Sequence, residues 1–425
     1  MKIKDKIKEA FSVPGIMAAA SEEDIRIFQN FIYELSVWSR QGIIPRDGNQ
    51  DVAYYLMLQK CRLRYRNLYT DYDFTIGKYH EMDYWMCGVV RDPKYTAKVM
   101  VRDCERRLRM FRGGNCIYAD NQLFEFYQFI TYLNEGNIDR SITCCCPNCG
   151  AVSTLETLLD GCPYCNTRFL MTDLFPKVTS FNMVELNEKK RKTGKKMGMP
   201  SIIIGMILTI ILANVLDPSG TYTIAILLLM ALLTLIVAVT FKKFQDNPIS
   251  HKEWLREQKR YVAVSKINEV LTPYWPDFSC AHFVNKLVSY LKIIIFTDNT
   301  DNLTFYQGRR HIKPFMDIVE ADYSFYFRLR KINTDNNACT MTIDVYMNDL
   351  HDTGKEIREK EDVFRMTVFR DLTVPEDMGF SIHKVNCHSC GGSFDAARVK
   401  SCPYCGHEYD LQQDDWVVLD VEQVR

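Results

Sequence analysis

The sequence predicts an α+β fold in which two cone-like lobes, each a helix-plus-antiparallel-sheet unit with a zinc ribbon, are joined by a two-helix transmembrane hairpin. Three observations lead to this prediction. Paired cysteine knuckles occur twice, segments with strand-like alternation precede each pair, and two long apolar runs separate the halves. A chain of 425 residues with 47 % hydrophobic content can bury more than one core, so several domains are expected.

Two cysteine quartets have the spacing of zinc ribbons. Each quartet contains two Cys-x-x-Cys knuckles, separated by twelve residues in the first quartet and eleven in the second. Four thiolates complete a closed tetrahedral shell around zinc, which is the arrangement of a structural rather than a catalytic site. The eight predicted metal ligands are Cys146, Cys149, Cys162, Cys165, Cys387, Cys390, Cys402 and Cys405. The sequence therefore predicts two structural zinc ions.

The register of the first quartet has an alternative, because Cys144 and Cys145 adjoin its first knuckle. We retain Cys146 and Cys149, since the proline inside this pair and the glycine after it repeat the turn chemistry of the other knuckles. A redox role for the cysteines is disfavoured because an oxidoreductase would need only one knuckle.

The charge balance limits the classes of partner. The chain carries 53 basic and 53 acidic residues, so it presents no overall field for a polyanion, and no nucleic-acid partner is expected. The eight cysteines outside the quartets are scattered, which suits reduced thiols better than a disulfide framework. We therefore expect the lobes to be cytoplasmic.

The apolar runs 199–216 and 221–241 predict a transmembrane hairpin. Each run has the length that a membrane-spanning helix needs, and a four-residue turn of Asp, Pro, Ser and Gly connects them. Basic residues flank the pair on both outer sides and are absent from the turn, which orients both lobes toward the cytoplasm. The predicted localisation is a cell membrane, with two spans in the lipid bilayer and both lobes cytoplasmic. The alternative is a buried helical hairpin within a soluble domain.

An internal duplication is suggested by matched landmarks. Asp83 precedes Cys146 by 63 positions, and Asp322 precedes Cys387 by 65. In each half, helical segments come first, strand-like segments follow, and the cysteine quartet comes last. We predict helices from Ser21 to about Ser39, around 52–63, at 283–296 and at 312–319, ahead of three strands in each half.

These observations divide the chain into five predicted segments. They are an N-terminal segment 1–19, a cone-like lobe 20–185 with its ribbon at 144–170, a basic juxtamembrane linker 186–198, the hairpin 199–241, and a C-terminal lobe 242–425 with its ribbon at 385–410.

The C-terminal half resembles the Tim-forty-four-like domain family, which belongs to the nuclear-transport-factor-like superfamily of cone-shaped α+β folds. The resemblance rests on the segment 272–279, the helix from Phe283, the segment 317–319, and the stretch from Asp414 through Trp416. It covers about residues 255–425, and residues 20–185 more weakly. Bacterial membrane proteins of this family often carry a zinc ribbon near the last strand, as this chain does ahead of Trp416.

The resemblance implies a cone with an apolar concavity that binds proteins, lipids or small ligands. The mitochondrial import subunit that gives the family its name recruits a chaperone motor through a region that this chain lacks. A motor-recruiting role is therefore not implied.

Enzyme chemistry is disfavoured. The sequence contains no Walker loop, serine elbow or HExxH motif. Asp317, Asp322 or Asp344 could serve as a general base in a cone, but helix ends and solvated strand faces are their more ordinary positions. His388 and His407 lie beside ribbon cysteines, and we expect them at the surface because each quartet is complete without them.

A basic stretch at 102–112, ahead of a Gly-Gly pair, could bind phosphate, but the solvated side of a hairpin is the more ordinary interpretation.

The predicted function is a membrane-anchored binding module, a protein adaptor or scaffold related to protein transport or envelope maintenance, with an unidentified protein partner. The alternative is a tethered sensor or carrier of a lipid or small apolar ligand, and an enzyme using a cone carboxylate ranks third.

Overall fold

The structure is a computed structural model. It describes residues 18–77, 86–91, 95–134, 141, 143–146, 149–159, 161–166, 176–185, 251–308, 315–377, 379–383 and 385–424. Residues 7–185 and 259–425 belong to one compact unit. The other unit contains residues 1–6 and 186–258, of which 251–258 are described.

The N-terminal half consists of helices followed by a six-stranded antiparallel sheet with a ribbon inserted before its last strand. Its elements are β1 Ala18–Ala19, α1 Glu22–Gln41, α2 Gln50–Tyr65, β2 Leu68–Ile76, β3 Met86–Arg91, β4 Tyr95–Arg112, β5 Asn115–Leu133, β6 Thr143–Cys145, β7 Val152–Thr154, α3 Leu155–Leu159 and β8 Lys177–Glu185. The sheet order is β1-β3-β4-β5-β8, and β2 pairs with the part of β4 that β3 leaves uncovered.

The C-terminal half repeats this plan with a four-stranded antiparallel sheet. Its elements are α4 His251–Leu271, α5 Cys280–Phe296, β9 Ile318–Asp335, β10 Ala338–Asp352, β11 Ile357–Asp371, β12 Val385–Asn386, β13 Ser393–Phe394 and β14 Val417–Gln423. The sheet order is β14-β11-β10-β9, and the pair β12–β13 belongs to the second ribbon. The described residues thus give an α+β fold with two antiparallel sheets and few helices.

Helix α1 begins where the sequence predicts. The Ser21 hydroxyl accepts from the Asp24 backbone N–H at 3.2 Å, and the Asp24 carboxylate accepts from the Ser21 backbone N–H at 2.8 Å. This reciprocal capping box satisfies two backbone donors that the first turn cannot pair internally. At the other end, Gly42 adopts a left-handed conformation and donates to the Trp38 carbonyl, which stops the helix.

In both halves, the last strand of the sheet pairs with its neighbour through a β-bulge at the same place. Val178 in β8 and Val418 in β14 both stand one position before a β-bulge against the preceding sheet strand. Each valine also forms an isolated parallel bridge with a loop residue, Gly48 in the first half and Tyr306 in the second. In each half the ribbon lies before the last strand of the sheet, between β5 and β8 in the first half and between β11 and β14 in the second.

One hydrophobic core runs through both halves. It includes Phe28 and Phe126 from the first half and Phe283 and Trp416 from the second, all with 0 % exposure. Within it, the Phe28 and Phe126 rings meet edge to face at 5.6 Å. Side chains from the helices thereby fill the space over each sheet.

A buried ionic seam joins the two halves. Arg106 in β4 donates through Nη1 to the Glu320 carboxylate at 2.6 Å and to Asp322 at 3.0 Å. Tyr72 donates its hydroxyl to the other Glu320 oxygen at 2.6 Å. Burial raises the pKa of Glu320 to about 7, an effect that the Arg106 charge opposes. Because the guanidinium is always charged, removing it would take the directly hydrogen-bonded cation from two carboxylates of low exposure.

A second part of the seam uses an arginine as a donor to backbone carbonyls. Arg62 in α2 is buried and donates to the carbonyls of Phe315 at 2.8 Å and Ile295 at 3.2 Å. Ile295 lies in the last turn of α5, where carbonyls lack helical partners and a positive charge is favourable. A side chain from one half thus completes the end of a helix in the other.

The membrane prediction requires a correction. Across the part of the chain that the structure describes, no helix is both long and apolar enough to cross a bilayer. Helix α4 has 21 residues but carries charged residues along its length, and the more apolar α5 has 17 residues and is part of the buried core. The predicted spans 199–216 and 221–241, with the linker 186–198, lie outside the described residues. The predicted localisation in a cell membrane is therefore not retained.

Two secondary-structure predictions also differ from the structure. The predicted helix at 312–319 ends in residues that belong to strand β9, because Ile318 and Val319 alternate with the β-branched and aromatic residues that follow. Strand β2 was missed, since its polar residues Asp71 and Asp73 obscure the apolar alternation and are satisfied only by arginines from elsewhere in the fold.

The seam predicts that two neighbouring arginines contribute very differently to the free energy of unfolding. We expect Arg106→Met to lower the free energy of unfolding by about 3–5 kcal/mol, because it removes the guanidinium that donates to the buried Glu320 and to the partly buried Asp322. The matched control is Arg107→Met on the same strand, where the side chain is 57 % exposed and lies 4.0 Å from Asp73. Urea denaturation should show a change within about 0.5 kcal/mol for that control. Equal losses in both variants would contradict the assignment of the seam.

Candidate metal centres

In each cysteine quartet, the four sulfurs gather around a centre of their own. In the first ribbon, the sulfurs of Cys146 and Cys165, and those of Cys149 and Cys162, are 3.7 Å apart. In the second ribbon, the two corresponding distances are 3.6 Å. Four sulfurs at about 2.3 Å from a tetrahedral zinc would be separated by about 3.8 Å. The two groups are thus compatible with two metal ions.

The knuckles share one backbone geometry. In three of them, the amide of the glycine after the second cysteine donates to the carbonyl of the first: Gly150 to Cys146 at 2.8 Å, Gly391 to Cys387 at 2.8 Å, and Gly406 to Cys402 at 2.9 Å. All three glycines have positive φ, a conformation that favours glycine. In the fourth knuckle, Asn166 takes the same left-handed position and donates to the Cys162 carbonyl at 2.9 Å. This geometry includes Cys146 in the quartet, whereas Cys144 and Cys145 lie in β6.

Protonation of the second quartet depends on the local amides and sulfurs. The Cys390 backbone N–H, helped by that of Ser389, lowers the pKa of Cys387 to about 6, although burial opposes this effect. The Gly392 amide would lower the pKa of Cys390, but the neighbouring sulfurs of Cys405 and Cys402 outweigh it and raise that pKa to about 12. A metal ion that binds four thiolates must therefore displace protons from this group.

Exposure alternates along each ribbon. The first cysteine of every knuckle is at most 3 % exposed, whereas Cys149, Cys390 and Cys405 are exposed. Between the cysteines of the second knuckle, each ribbon presents a tyrosine to solvent: Tyr164 is 71 % exposed and Tyr404 is 59 % exposed. The ribbons thus hold their metal ligands partly inside the fold and an aromatic side chain outside it.

The second ribbon is fixed to helix α2 of the first half. The Ser381 hydroxyl donates to the Asp51 carboxylate at 3.1 Å, and the ring of His383 meets that of Tyr54 at 4.6 Å. On its other side, the His383 Nδ1 lies 2.9 Å from the Asp395 carboxylate. These contacts hold the segments on both sides of the first knuckle against the core.

The histidines beside the knuckles are not among the quartet ligands. His388 Nε2 lies 2.8 Å from Asp414, and its ring stacks on Tyr409 at 5.2 Å. His407 contributes its backbone carbonyl, which accepts from the Cys402 amide at 2.8 Å. Both roles support the ribbon without adding a metal ligand.

The carboxylates considered as general bases lie in three different environments. Asp344 has 0 % exposure, and Arg330 and Arg365 donate to it, whereas Asp322 belongs to the seam with Arg106. Asp317 contacts His351 Nδ1 at 2.8 Å. The structure therefore does not bring these three carboxylates together into one site.

The basic stretch in β4 is engaged by acidic residues. Besides Arg106 in the seam, Arg109 contacts Asp71, and Arg112 donates to Asp352 at 2.6 Å. These pairs neutralise charges that the sequence left open for a phosphate.

Sequence reasoning missed one group of polar residues. Asp349, His351 and Asp362 place one candidate ligand atom each within 4.8 Å of one another, and all three residues are buried. The signal was the alternation Asp349-Leu-His351 in a strand, which puts both polar side chains on one face. Asp362 joins them only through the pairing of β10 with β11.

Comparisons with known proteins did not place the chain in a family. No protein-family model, no curated protein and no solved structure matches it.

Proposed function

We propose that both quartets bind zinc and that the two ions stabilise the ribbons. The support is the combination of four thiolates per site and sulfur separations of 3.6–3.7 Å. Four thiolates fill a tetrahedral zinc shell and leave no position open to water or substrate. Because each ribbon stands between two strands of a sheet, its closure also holds the last strand in register.

We further propose that the two halves are copies of one unit of the cone-shaped type that the sequence resemblance implies. The support is the repeated order of helix, strands, ribbon and last strand, together with the matching bulges beside Val178 and Val418. Proteins of such a superfamily bind partners rather than share one reaction, so the fold by itself assigns no activity.

The function that the geometry supports best is a non-enzymatic protein adaptor or scaffold, with a link to protein transport or envelope maintenance kept as part of the proposal. The observation that carries it is the equivalent exposed tyrosine on each zinc knuckle, Tyr164 and Tyr404. Tyrosine on a rigid support contributes large contact area at low entropic cost, which is why it is frequent in protein interfaces.

A carrier of lipid or another apolar ligand is less well supported. Such a protein needs an apolar cavity between helices and sheet. Fully buried rings such as Phe28, Phe126 and Phe283 occupy that space. No observation in the described residues favours a lipid over a protein partner.

Metal content tests the zinc proposal. Native mass spectrometry of the full chain should find two zinc ions, and Cys402→Ser should lower this number to one and destabilise the second ribbon, because three thiolates bind zinc less tightly and the shell stays open. The control is Cys61→Ser, which removes an exposed cysteine outside both quartets and should leave two ions. Absence of zinc from the unmodified protein would contradict the proposal.

Partner binding tests the adaptor proposal. After cross-linking in cells, a protein that is cross-linked to the unmodified chain should be recovered several-fold less with the double variant Tyr164→Ser, Tyr404→Ser, because the exposed rings contribute contact area. Tyr33→Ser is the matched control, since Tyr33 is also 71 % exposed but lies on α1. Equal recovery with all three proteins, measured by quantitative mass spectrometry, would exclude the ribbon tyrosines from the interface.

A further inference from the structure

The buried group Asp349, His351 and Asp362 has the form of a second kind of metal site. Asp349 and His351 stand two positions apart on β10 and therefore on one face of the sheet. Asp362 lies on the adjacent strand β11, and pairing brings it to the same face. One carboxylate oxygen from each aspartate and one imidazole nitrogen all lie within 4.8 Å of one another. This group is separate from both ribbons.

Asp349 lacks the hydrogen-bond partners that a buried carboxylate ordinarily has, which points to a cation at this place. It has 0 % exposure, and neither of its carboxylate oxygens has a hydrogen-bond partner in the described part of the chain. Burying an ionised carboxylate without a partner is costly, and buried charges are ordinarily paired or coordinate a metal. A charge-paired His351 accounts for Asp317 and Asp362, which it contacts at 2.8 and 2.6 Å, but it provides no hydrogen bond to Asp349.

His351 has the orientation of a metal ligand, because one of its ring nitrogens contacts a carboxylate and the other faces the proposed site. Its Nδ1 lies 2.8 Å from the Asp317 carboxylate, and its Nε2 is directed toward Asp362. Metal-binding histidines usually donate their second ring N–H to a carboxylate, which fixes the tautomer and leaves the other nitrogen for the ion. The Asp317 side chain would hold His351 in this state. Asp317 is itself fixed, because its backbone carbonyl accepts from the Asp352 amide at 2.7 Å.

We propose that Asp349, His351 and Asp362 bind a divalent first-row transition-metal ion, with Asp317 as the positioning residue behind His351. One imidazole with two carboxylates is a donor set that suits ions such as Mn²⁺ or Zn²⁺. Ligand atoms at about 2.2 Å from an ion are at most about 4.4 Å apart, so atoms that all lie within 4.8 Å of one another are near the required spacing. The His351 Nε2 to Asp362 Oδ2 contact of 2.6 Å would lengthen as the ion replaces the hydrogen bond between them. Three protein ligands, unlike the four of each ribbon, leave coordination positions open to water or to an oxygen ligand.

One positive side chain must be displaced or accommodated. Lys360 Nζ lies 2.5 Å from Asp362 Oδ1, and the Lys360 side chain is 50 % exposed. It can therefore turn into solvent when an ion binds, or stay on the outer carboxylate oxygen while Oδ2 faces the ion. Asp349 and His351 keep their positions in either case, since both lie on β10, a central strand that pairs with β11 on one side and β9 on the other.

The site belongs to the second half alone. Val178 and Val418 pair with Ile130 and Val368, which pair in turn with Lys98 and Met341. Counting the same distance along each strand from these pairs, the positions of Asp349, His351 and Asp362 correspond to Arg106, Leu108 and Phe124. The first half thus has no ligand at any of the three positions, and its Arg106 belongs to the seam.

Manganese binding by the full chain with zinc in its ribbons tests this proposal. Mn²⁺ is the probe because it prefers oxygen and nitrogen donors to thiolates, so it should leave the ribbons unchanged. Electron paramagnetic resonance should show one Mn²⁺ bound per chain. We expect Asp349→Asn to weaken its affinity by about a hundredfold or more, since the nearly isosteric amide removes a charged ligand.

The control is Asp344→Asn, which changes another fully buried carboxylate on the same strand but on the opposite face. It should bind Mn²⁺ as the unmodified protein does. Equal weakening by both variants would overturn the proposal, and so would the failure of the unmodified protein to bind one Mn²⁺ or Zn²⁺ beyond its ribbon ions at millimolar metal.

Asp317→Asn provides an independent test that does not alter a ligand. Loss of support behind a metal-binding histidine typically costs 10–100-fold in affinity. We therefore expect this variant to bind Mn²⁺ with one-to-one stoichiometry but at least about tenfold more weakly. Because Asp317 is 44 % exposed, the variant should fold even if Asp349→Asn does not. An unchanged affinity would overturn the role assigned to Asp317 and the ligand state assigned to His351.

Discussion

The buried charges between the two halves constrain the rest of the compact unit. Arg106 from the first sheet contacts Glu320 and Asp322 from the second. Arg62 from the first half donates a hydrogen bond to a carbonyl at the end of helix α5 in the second half. In a medium of low dielectric constant, such groups are stable only when every partner is in place. These directional contacts favour this arrangement of the two halves, which hydrophobic burial alone would not specify.

The ribbons are parts of the sheets rather than appendages to them. Each ribbon interrupts the chain before the last strand of its sheet, and that strand then pairs beside a bulge next to Val178 or Val418. The loop that separates these strands is long, and a metal-closed shell reduces the entropy that the chain loses when they pair. With the proposed zinc ions bound, this placement would link metal content to the stability of the sheet, and it leaves Tyr164 and Tyr404 exposed.

The repeated plan does not imply equivalent chemistry. At corresponding positions, the second half has Asp349 and the first has Arg106, so the same strand position bears opposite charges in the two sheets. The arginine is satisfied by the seam, whereas neither carboxylate oxygen of the aspartate has a hydrogen-bond partner in the described part of the chain. One half therefore contributes mainly to cohesion, and the proposed cation site lies in the other.

The sequence by itself determined the α+β class, the start of helix α1 and the two cysteine quartets. Capping and knuckle turns depend on residues close in the chain, so their patterns are local. Only the tertiary structure decided that the halves share one core, that the arginines of β4 are engaged by acidic residues, and that Asp362 joins Asp349 and His351. These features depend on strand pairing and on side chains distant in sequence. Apolar periodicity reports which face is buried, but it does not report which charge lies opposite.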